Sequence, residues 1–178
     1  MRIIAGSRKG ARIFAPAGVE TRPTGDRARE AAFNLVGPVD GARVLDLFAG
    51  SGAMGLEALS RGAAAVTFVE RDRAAAATIE RNLDKLDLRG AVLRDDAVRV
   101  LAADAAADRR YDLVLIDPPY RMLAGVLPSL SAYLPSVIER GGLVVVESEA
   151  REEPELPLRK RTSRRYGAAR ITVFEVPE

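Results

Sequence analysis

The 178-residue chain contains no cysteine and no histidine, and these absences exclude several kinds of chemistry. Without them there is no disulfide, no cysteine nucleophile, no serine–histidine triad and no ordinary zinc centre, and we expect no bound metal. The lack of cysteine also fits a cytoplasmic protein. Catalysis must therefore depend on carboxylates, backbone groups, lysine, arginine, tyrosine or a cofactor.

Long apolar runs are missing as well. None approaches the roughly 20 residues that span a bilayer, and residues 1–6 hold one cation but no apolar stretch typical of a signal peptide. With 48% apolar and 29% charged residues, the chain has a globular composition and about the length of one domain. We therefore expect a cytoplasmic protein that makes no membrane contact.

The net charge of +2 is unevenly distributed. Residues 1–30 carry seven Lys/Arg against three Asp/Glu, and residues 159–178 carry six against two. The middle, 31–158, carries fourteen basic and twenty acidic residues. These basic ends are either simply solvated or, if they meet in space, an electrostatic footprint for a polyanion.

The order of secondary structure predicts an α/β fold. Apolar runs indicate buried strands at 44–48, 65–70, 91–95, 111–117 and 142–147, and helical patterns lie between them at 53–61, 73–86, 97–106 and 123–139. This alternation implies a parallel, doubly wound sheet. The tail, 156–166 and 169–176 around Gly167, predicts an antiparallel hairpin. Residues 1–16 predict a small basic hairpin, followed by a helix over 25–35 capped by Thr24.

A glycine-rich loop follows the first long strand. Gly50, Gly52 and Gly55 match G-x-G-x-x-G between a strand and a helix, and Glu70 ends the next strand, where a ribose-binding acid is expected. The loop alone does not distinguish a nicotinamide cofactor from S-adenosylmethionine. Asp46, just before it, would repel a pyrophosphate and attract a methionyl ammonium. Asp96 either accepts from an adenine amino group or caps the following helix.

The motif DPPY, residues 117–120, directly follows the fourth strand. It is either a loop that stops the strand or a rigid rim that holds a ligand. Asp117 and the Pro118 carbonyl can accept hydrogen bonds from a planar amino group, while Tyr120 can stack on the ring that carries it. Such an arrangement suits the exocyclic amine of a nucleobase during attack on a methyl sulfonium.

The motifs together resemble the bacterial 16S ribosomal RNA guanine-N2 methyltransferases. The similar blocks, in the family's order, are MRIIAGSRKG, TRPTGDRAREAAFNLV, VLDLFAGSGAMGLEALSRGA, VTFVERD and DLVLIDPPY. DPPY also occurs in DNA adenine methyltransferases, whereas its combination with Arg22-Pro23-Thr24 and the basic start is more specific. The tail after residue 150 matches only loosely.

The resemblance implies a class I S-adenosylmethionine-dependent methyltransferase (Rossmann-like) fold, with a mostly parallel seven-stranded sheet and a C-terminal antiparallel hairpin. A basic RNA-facing extension would cover residues 1–36 and the methyltransferase domain residues 37–178. S-adenosylmethionine would be held by Asp46, Leu47, Phe48, Ala49, Gly50, Ser51, Gly52, Glu70, Arg71, Asp96 and Ala97. The catalytic motif would be Asp117, Pro118, Pro119 and Tyr120.

The implied partner is 16S ribosomal RNA, in the 30S subunit or a late assembly particle, bound by a monomer. The candidate RNA-binding residues are Arg8, Lys9, Arg12, Arg22, Thr24, Arg27, Arg159, Lys160, Arg161, Arg164 and Arg165. Three alternatives remain at this point: a DNA adenine-N6 methyltransferase, a nicotinamide-dependent oxidoreductase and a non-catalytic RNA-binding module.

Overall fold

A computed structural model describes residues 1–16 and 23–177, with only the backbone for residues 23 and 24. The helices are α1 (Pro23–Val36), α2 (Ala53–Ser60), α3 (Arg73–Leu86), α4 (Ala97–Ala106) and α5 (Tyr120–Val137). The strands are β1 (Arg43–Leu47), β2 (Ala65–Val69), β3 (Ala91–Leu93), β4 (Tyr111–Ile116), β5 (Ile138–Glu149), β6 (Arg159–Tyr166) and β7 (Ala169–Glu175). None of the described helices has both the length and the apolar character needed to cross a membrane.

The seven strands form one sheet in the order β3-β2-β1-β4-β5-β7-β6. The first five are parallel, and β7 runs antiparallel to both β5 and β6. The chain moves outward from β1 to β3 on one side and then returns to β4 on the other, so β1 and β4 flank a topological switch point. Ligands of open α/β sheets bind at the carboxyl ends of strands at such a point.

Two cores cover the two faces of the sheet. Alternate strand residues such as Val44 and Leu45 are buried on opposite sides, as the twofold period of a strand requires. The N-terminal segment and α1 to α3 pack on one face, while α4 and α5 pack on the other. The extension predicted at residues 1–36 shares the first of these cores through Ile3, Ile13 and Phe33.

The predicted N-terminal hairpin is present in a short form. Antiparallel pairing is limited to a bridge between Arg2 and Arg12, and the turn contains a 3-10 helix, Gly6–Arg8. The strand cannot lengthen because the N–H groups of Ile4 and Ala5 donate instead to the Glu57 carboxylate, at 2.8 and 3.0 Å.

Some element boundaries differ from those predicted. β3 ends at Leu93 because Asp95 and Asp96 are used to begin α4. α5 begins at Tyr120 rather than 123, because Pro119 is the residue that precedes the first turn and has no N–H to lose there. β5 starts at Ile138 and crosses an irregularity in its pairing with β4.

Candidate active site

A cleft of about 690 Å³ opens at the carboxyl ends of the central strands. It is lined by residues in or just after the carboxyl-terminal parts of β1, β2, β3, β4 and β5, and by parts of the N-terminal segment and α1. The predicted site residues on its wall are Asp46, Phe48, Ala49, Gly50, Ser51, Glu70, Arg71, Asp96, Ala97, Asp117, Pro118, Pro119 and Tyr120. The fold therefore brings the glycine loop and DPPY into one cavity.

The glycine loop connects β1 to α2 with strained backbone that glycine relieves. Gly50 and Gly52 have φ of 56° and 80°, in the left-handed region that L side chains rarely adopt. Gly55 serves packing instead, because a Cβ there would lie 2.3 Å from the Phe68 ring. Of the predicted cofactor residues, Leu47 is buried in the sheet and Gly52 precedes α2, and neither lines the cleft.

Glu70 connects the glycine loop to the end of β2. Its Oε2 accepts from the Gly50 N–H at 2.8 Å, and its Oε1 accepts from the Asp72 N–H at 2.8 Å. A carboxylate offers about four acceptor positions, so both oxygens can still accept from ligand hydroxyls. The contact to Gly50 means that this acid also holds the loop in place.

Asp46 is buried, with 1% of its surface exposed, at the base of the cleft. Its Oδ2 accepts from the Gly55 N–H at 2.9 Å, which satisfies a donor in the first turn of α2. Its pKa is raised from the ordinary 3.8 to about 8, chiefly because burial disfavours the charged form. The Gly55 N–H opposes this shift, while the negative charges of Asp117 and Glu70 add to it. A cation bound here would relieve the repulsion.

Asp95 and Asp96 organise the start of α4. Asp96 Oδ1 accepts from the Val98 and Arg99 N–H groups at 3.0 and 3.1 Å, so the helix cap considered from the sequence is confirmed. Asp95 accepts from the Asp96 N–H at 2.7 Å. The cap contacts involve one oxygen of Asp96, and both acids line the cleft. An adenine contact by Asp96 stays a prediction.

DPPY is both a strand stop and a wall of the cleft. β4 ends at Ile116, and only three residues separate it from α5. Pro118 is buried, Pro119 precedes the helix, and the Met122 N–H donates to the Pro119 carbonyl at 2.7 Å. The connection is therefore short and fixed at both ends, and all four residues of the motif line the cavity.

The end of the cleft beyond DPPY was not predicted from the sequence. Its lining includes Met1, Gly25, Arg29, Glu147 and Ala169. The sequence held one indication of Glu147, because Glu147 ends a predicted strand as Glu70 and Asp117 do. Met1 and Arg29 had none, since the N-terminal segment reaches the site only through tertiary packing.

Glu57 is the residue that fixes this N-terminal segment. It is fully buried on α2 and accepts from the Ile4 and Ala5 N–H groups and from Arg61 Nε at 2.8 Å. Arg29 Nε lies 3.5 Å from its other oxygen. The sequence placed Glu57 in a helix, where an acid usually faces solvent.

The candidate RNA-binding residues fall into distinct groups. Lys9, Arg12, Arg27, Arg161, Arg164 and Arg165 are exposed. The Arg8 guanidinium donates instead to the Leu86 and Asp87 carbonyls at the end of α3. Arg159 and Lys160 form ion pairs with Glu175 and Glu153, at 2.6 and 3.0 Å. Arg22 and the Thr24 side chain lie outside the described residues.

The two basic ends do approach each other. α1, which carries Arg27, contacts β6 and β7 of the C-terminal hairpin. Arg164 of β6 pairs with Ile171, which belongs to the core that α1 covers, so Arg164 lies on the same face of the sheet as α1 although more than a hundred residues separate them in sequence. The neighbouring Arg165 pairs with Arg170 and lies on the opposite face. This proximity was the condition under which the charge pattern indicated a polyanion partner.

Comparisons with known proteins agree along the whole chain. Residues 1–175 match the sequence profile of a family described as Conserved hypothetical protein 95. A Bacillus subtilis relative named "Putative rRNA methyltransferase YlbH" is 40% identical over 188 residues, covering 98% of each chain. Ribosomal RNA small subunit methyltransferase D of Escherichia coli K12 is 43% identical over 123 residues, or 68% of this chain and 61% of the relative.

Solved structures give the same assignment for the fold. A hypothetical protein of Thermus thermophilus has a TM-score of 0.85 at 34% identity, with 99% of both chains covered. Structures with 16% and 22% identity include complexes with SAH and AdoMet, and likeness at that level establishes the fold alone. The predicted methyltransferase fold is confirmed, and the chain belongs to the Conserved hypothetical protein 95 family, homologous to small-subunit ribosomal RNA methyltransferases.

Proposed function

We propose that this protein transfers a methyl group from S-adenosylmethionine to N2 of one guanine in 16S ribosomal RNA. The observation that carries the proposal is the placement of DPPY and the glycine loop in a single cleft, on the adjacent strands β4 and β1. The relatives named as ribosomal RNA methyltransferases support RNA as the substrate class. We further propose that it acts as a monomer on the 30S subunit or a late assembly particle.

The residues of the cleft fit S-adenosylmethionine better than a nicotinamide dinucleotide. Asp46 is a buried carboxylate with raised pKa, and Glu70 and Asp117 are close enough to add to that rise. A bound ammonium or sulfonium would stabilise the charged form of Asp46, whereas a pyrophosphate would be repelled by the negative charges of Glu70 and Asp117. Among the described residues, no group of three or more acidic side chains is arranged to hold a metal ion that could offset the repulsion.

Each end of the cofactor has residues suited to it. Asp46 and the loop from Phe48 to Ser51 would hold the methionyl group, and Glu70 would accept from the ribose hydroxyls. Asp96 and Ala97, at the start of α4, would border the adenine. Arg71 also lines the cleft, and its Nη2 is 3.9 Å from the sulfur of Met122. When bound, S-adenosylmethionine supplies an electrophilic methyl group on a positively charged sulfur.

DPPY would present the guanine amine to that methyl group. Asp117 and the Pro118 carbonyl would accept the two N2 hydrogens, and Tyr120 would stack on the base. As N2 loses planarity, its lone pair would form the new N–C bond to the methyl carbon, and the sulfonium would leave as a neutral thioether. The extra proton on N2 passes to the Asp117 carboxylate and from there to water.

The structure gives the rivals less support. A non-catalytic RNA-binding module would not need a cavity of about 690 Å³ lined by both motifs. A DNA adenine-N6 methyltransferase would use the same DPPY chemistry, but the relatives are named as ribosomal RNA methyltransferases. This rival is therefore best separated by experiment.

Methyl-label transfer tests the proposal directly. The protein and labelled S-adenosylmethionine are incubated with one substrate per reaction: unmethylated 30S particles, naked 16S RNA or duplex DNA. The nucleosides of each product are then analysed. We expect label in N2-methylguanosine from the 30S particles or their RNA. Label in DNA N6-methyladenine would establish the rival, and no transfer to any nucleic acid would refute the proposal.

A further inference from the structure

A second carboxylate stands beside Asp117 at the end of the neighbouring strand. Ile116 of β4 pairs with Val146 of β5, so Asp117 and Glu147 are the next residues along two adjacent parallel strands. Neighbouring strands are about 4.8 Å apart. Asp117 of DPPY therefore has an acidic neighbour, Glu147, at the equivalent register position of the adjacent strand.

The two carboxylates share a face of the sheet. Leu115 and Val145 both belong to the core beneath the N-terminal segment and α1. Because side chains alternate along a strand, residues two positions later point to that same side. Asp117 and Glu147 accordingly both line the cleft, and Arg29 of α1 lines it too.

The order of the strands assigns the two ends of the cleft. Asp96 follows β3, Glu70 follows β2 and Asp46 lies in β1, so the proposed cofactor residues extend across one half of the sheet. Asp117 comes next, and Glu147 lies one strand beyond it, on the side away from the cofactor. Glu147 is therefore placed in the part of the cleft where the nucleobase that accepts the methyl group would bind.

Guanine carries donors that match this pair of acids. Its Watson–Crick edge places the N1–H next to the N2 amino group, and a carboxylate accepts hydrogen bonds from either. Adenine has an unprotonated N1 at the corresponding place, and a carboxylate facing that lone pair would be repelled. A carboxylate that faces a lone pair in a bound complex, with no hydrogen to accept, strongly disfavours that base. Such a carboxylate can therefore discriminate guanine from adenine.

We propose that Glu147 is a specificity-determining residue that accepts a hydrogen bond from N1–H of the target guanine. The inference rests on the proposed function, because it assumes that Asp117 and Pro118 hold the N2 amine. Glu147 then selects guanine over bases that lack the N1 proton. Glu147 also fixes the orientation of the bound guanine, because N1 is held by Glu147 of β5 while the adjacent N2 is held by Asp117 at the end of β4.

The test uses 30S particles reconstituted with either guanosine or 2-aminopurine at the position that the wild-type protein methylates. 2-Aminopurine keeps the amino group but lacks N1–H. For the wild type we expect kcat/KM to be about 10- to 100-fold higher on guanosine, the range that one charge-assisted hydrogen bond supplies. In Glu147→Ala, the rate on guanosine should fall to near that on 2-aminopurine.

Matched variants separate recognition from folding. Glu147→Gln keeps the size and gains an amide donor, so it should raise transfer to 2-aminopurine, whose N1 is an acceptor. Glu149 is an exposed acid of the same strand that does not line the cleft. Glu149→Ala should therefore keep the wild-type preference for guanosine over 2-aminopurine. S-adenosylmethionine affinity should be unchanged in all three variants.

Two results would overturn the inference while the proposed function stands. One is an undiminished guanosine preference in Glu147→Ala. The other is an equal loss on both bases in Glu147→Ala and Glu147→Gln, which would make Glu147 a structural residue. If the wild type transfers no methyl group to guanine N2, the proposed function fails and the inference fails with it.

Discussion

Acids at the ends of successive strands give this cleft its chemical character at the residue scale. Asp46, Glu70, Asp117 and Glu147 belong to four strands that are neighbours in the sheet, and all four line one cavity. Asp46 is buried and its pKa is raised. A buried acid in this state is unfavourable for the free protein, so we interpret it as retained for a cationic ligand.

Removing either of the acids proposed to bind the cofactor should weaken S-adenosylmethionine binding. Asp46→Ala and Glu70→Ala each lose a charge-assisted hydrogen bond, about 1.5–3 kcal/mol, so the Kd should rise about ten- to hundredfold by calorimetric titration. Glu80→Ala, on the exposed side of α3, is the control and should bind as the wild type does. Unchanged affinity in both folded test variants would contradict the assignment.

The raised pKa of Asp46 makes stability depend on pH in a defined direction. Between about 4 and about 8 the folded protein keeps a proton on Asp46 that the unfolded chain releases. The free energy of unfolding therefore falls as pH rises through this window. Asp46→Asn keeps an acceptor for the Gly55 N–H and has no proton to lose.

Urea unfolding at pH 5 and pH 8 checks this dependence. The stability of Asp46→Asn relative to the wild type should increase by roughly 2–4 kcal/mol from pH 5 to pH 8. A stability difference that is the same at both pH values would show that Asp46 titrates normally.

The N-terminal segment and the glycine loop are coupled at the scale of elements by Asn82 of α3. Its Oδ1 accepts from the Phe14 N–H at 2.7 Å, and its Nδ2 donates to the Phe14 and Ser51 carbonyls at 3.0 and 3.1 Å. Asn82 is fully buried. One side chain thus connects the basic segment to the proposed cofactor loop.

Asn82→Ala should destabilise the protein by about 2–4 kcal/mol, because three backbone groups lose their partner in a buried site. S-adenosylmethionine affinity should fall as well, since the loop loses its contact at Ser51. Denaturant unfolding and titration measure the two effects. Asn34→Ala, exposed on α1, should change neither, and a similar result for Asn82→Ala would show that the segment and loop are independent.

The elements themselves were largely predictable, and the exceptions depend on tertiary contacts. Apolar strands alternating with helices gave the parallel sheet, and a strand ending in Asp117 gave the position of DPPY. The small N-terminal hairpin has less pairing than its two predicted strands implied, because Glu57 accepts from the N–H groups of Ile4 and Ala5, a contact made across more than fifty residues. Glu147 and Asn82 were missed because strand-end or helix position alone does not reveal what a side chain faces.

The molecule as a whole has basic ends that pack beside each other and an acidic middle that forms the cleft. α1 contacts the C-terminal hairpin, which brings an exposed cation of each end, Arg27 and Arg164, to the same side of the sheet. An acidic cleft alone would repel RNA, so we propose that separate cations bind the phosphates. The charge pattern predicted this division, but not that Arg8, Arg159 and Lys160 are engaged within the protein.

Neutralising either exposed set should weaken binding to 30S particles. The sets are Lys9, Arg12 and Arg27 at the start, and Arg161, Arg164 and Arg165 near the end. Each lost phosphate contact should reduce the salt dependence by roughly one unit of slope. S-adenosylmethionine affinity should stay the same.

Changing Arg89 and Arg140 to Gln provides the charge control, since both are exposed near the amino ends of β3 and β5, opposite the cleft. These changes should leave 30S binding unaltered. If the amino-terminal set alone has an effect, the C-terminal arginines are solvated charges on a structural hairpin.

The most direct test of the central claim separates cofactor binding from methyl transfer at DPPY. Single-turnover transfer to 30S particles and S-adenosylmethionine affinity are measured for Asp117→Ala and Tyr120→Ala. We predict that transfer falls about 100-fold or more, because the groups that hold the amine in the transition state are gone, while the Kd for the cofactor changes little. Folded variants that transfer methyl groups at the wild-type rate would contradict the account and leave DPPY as a strand stop.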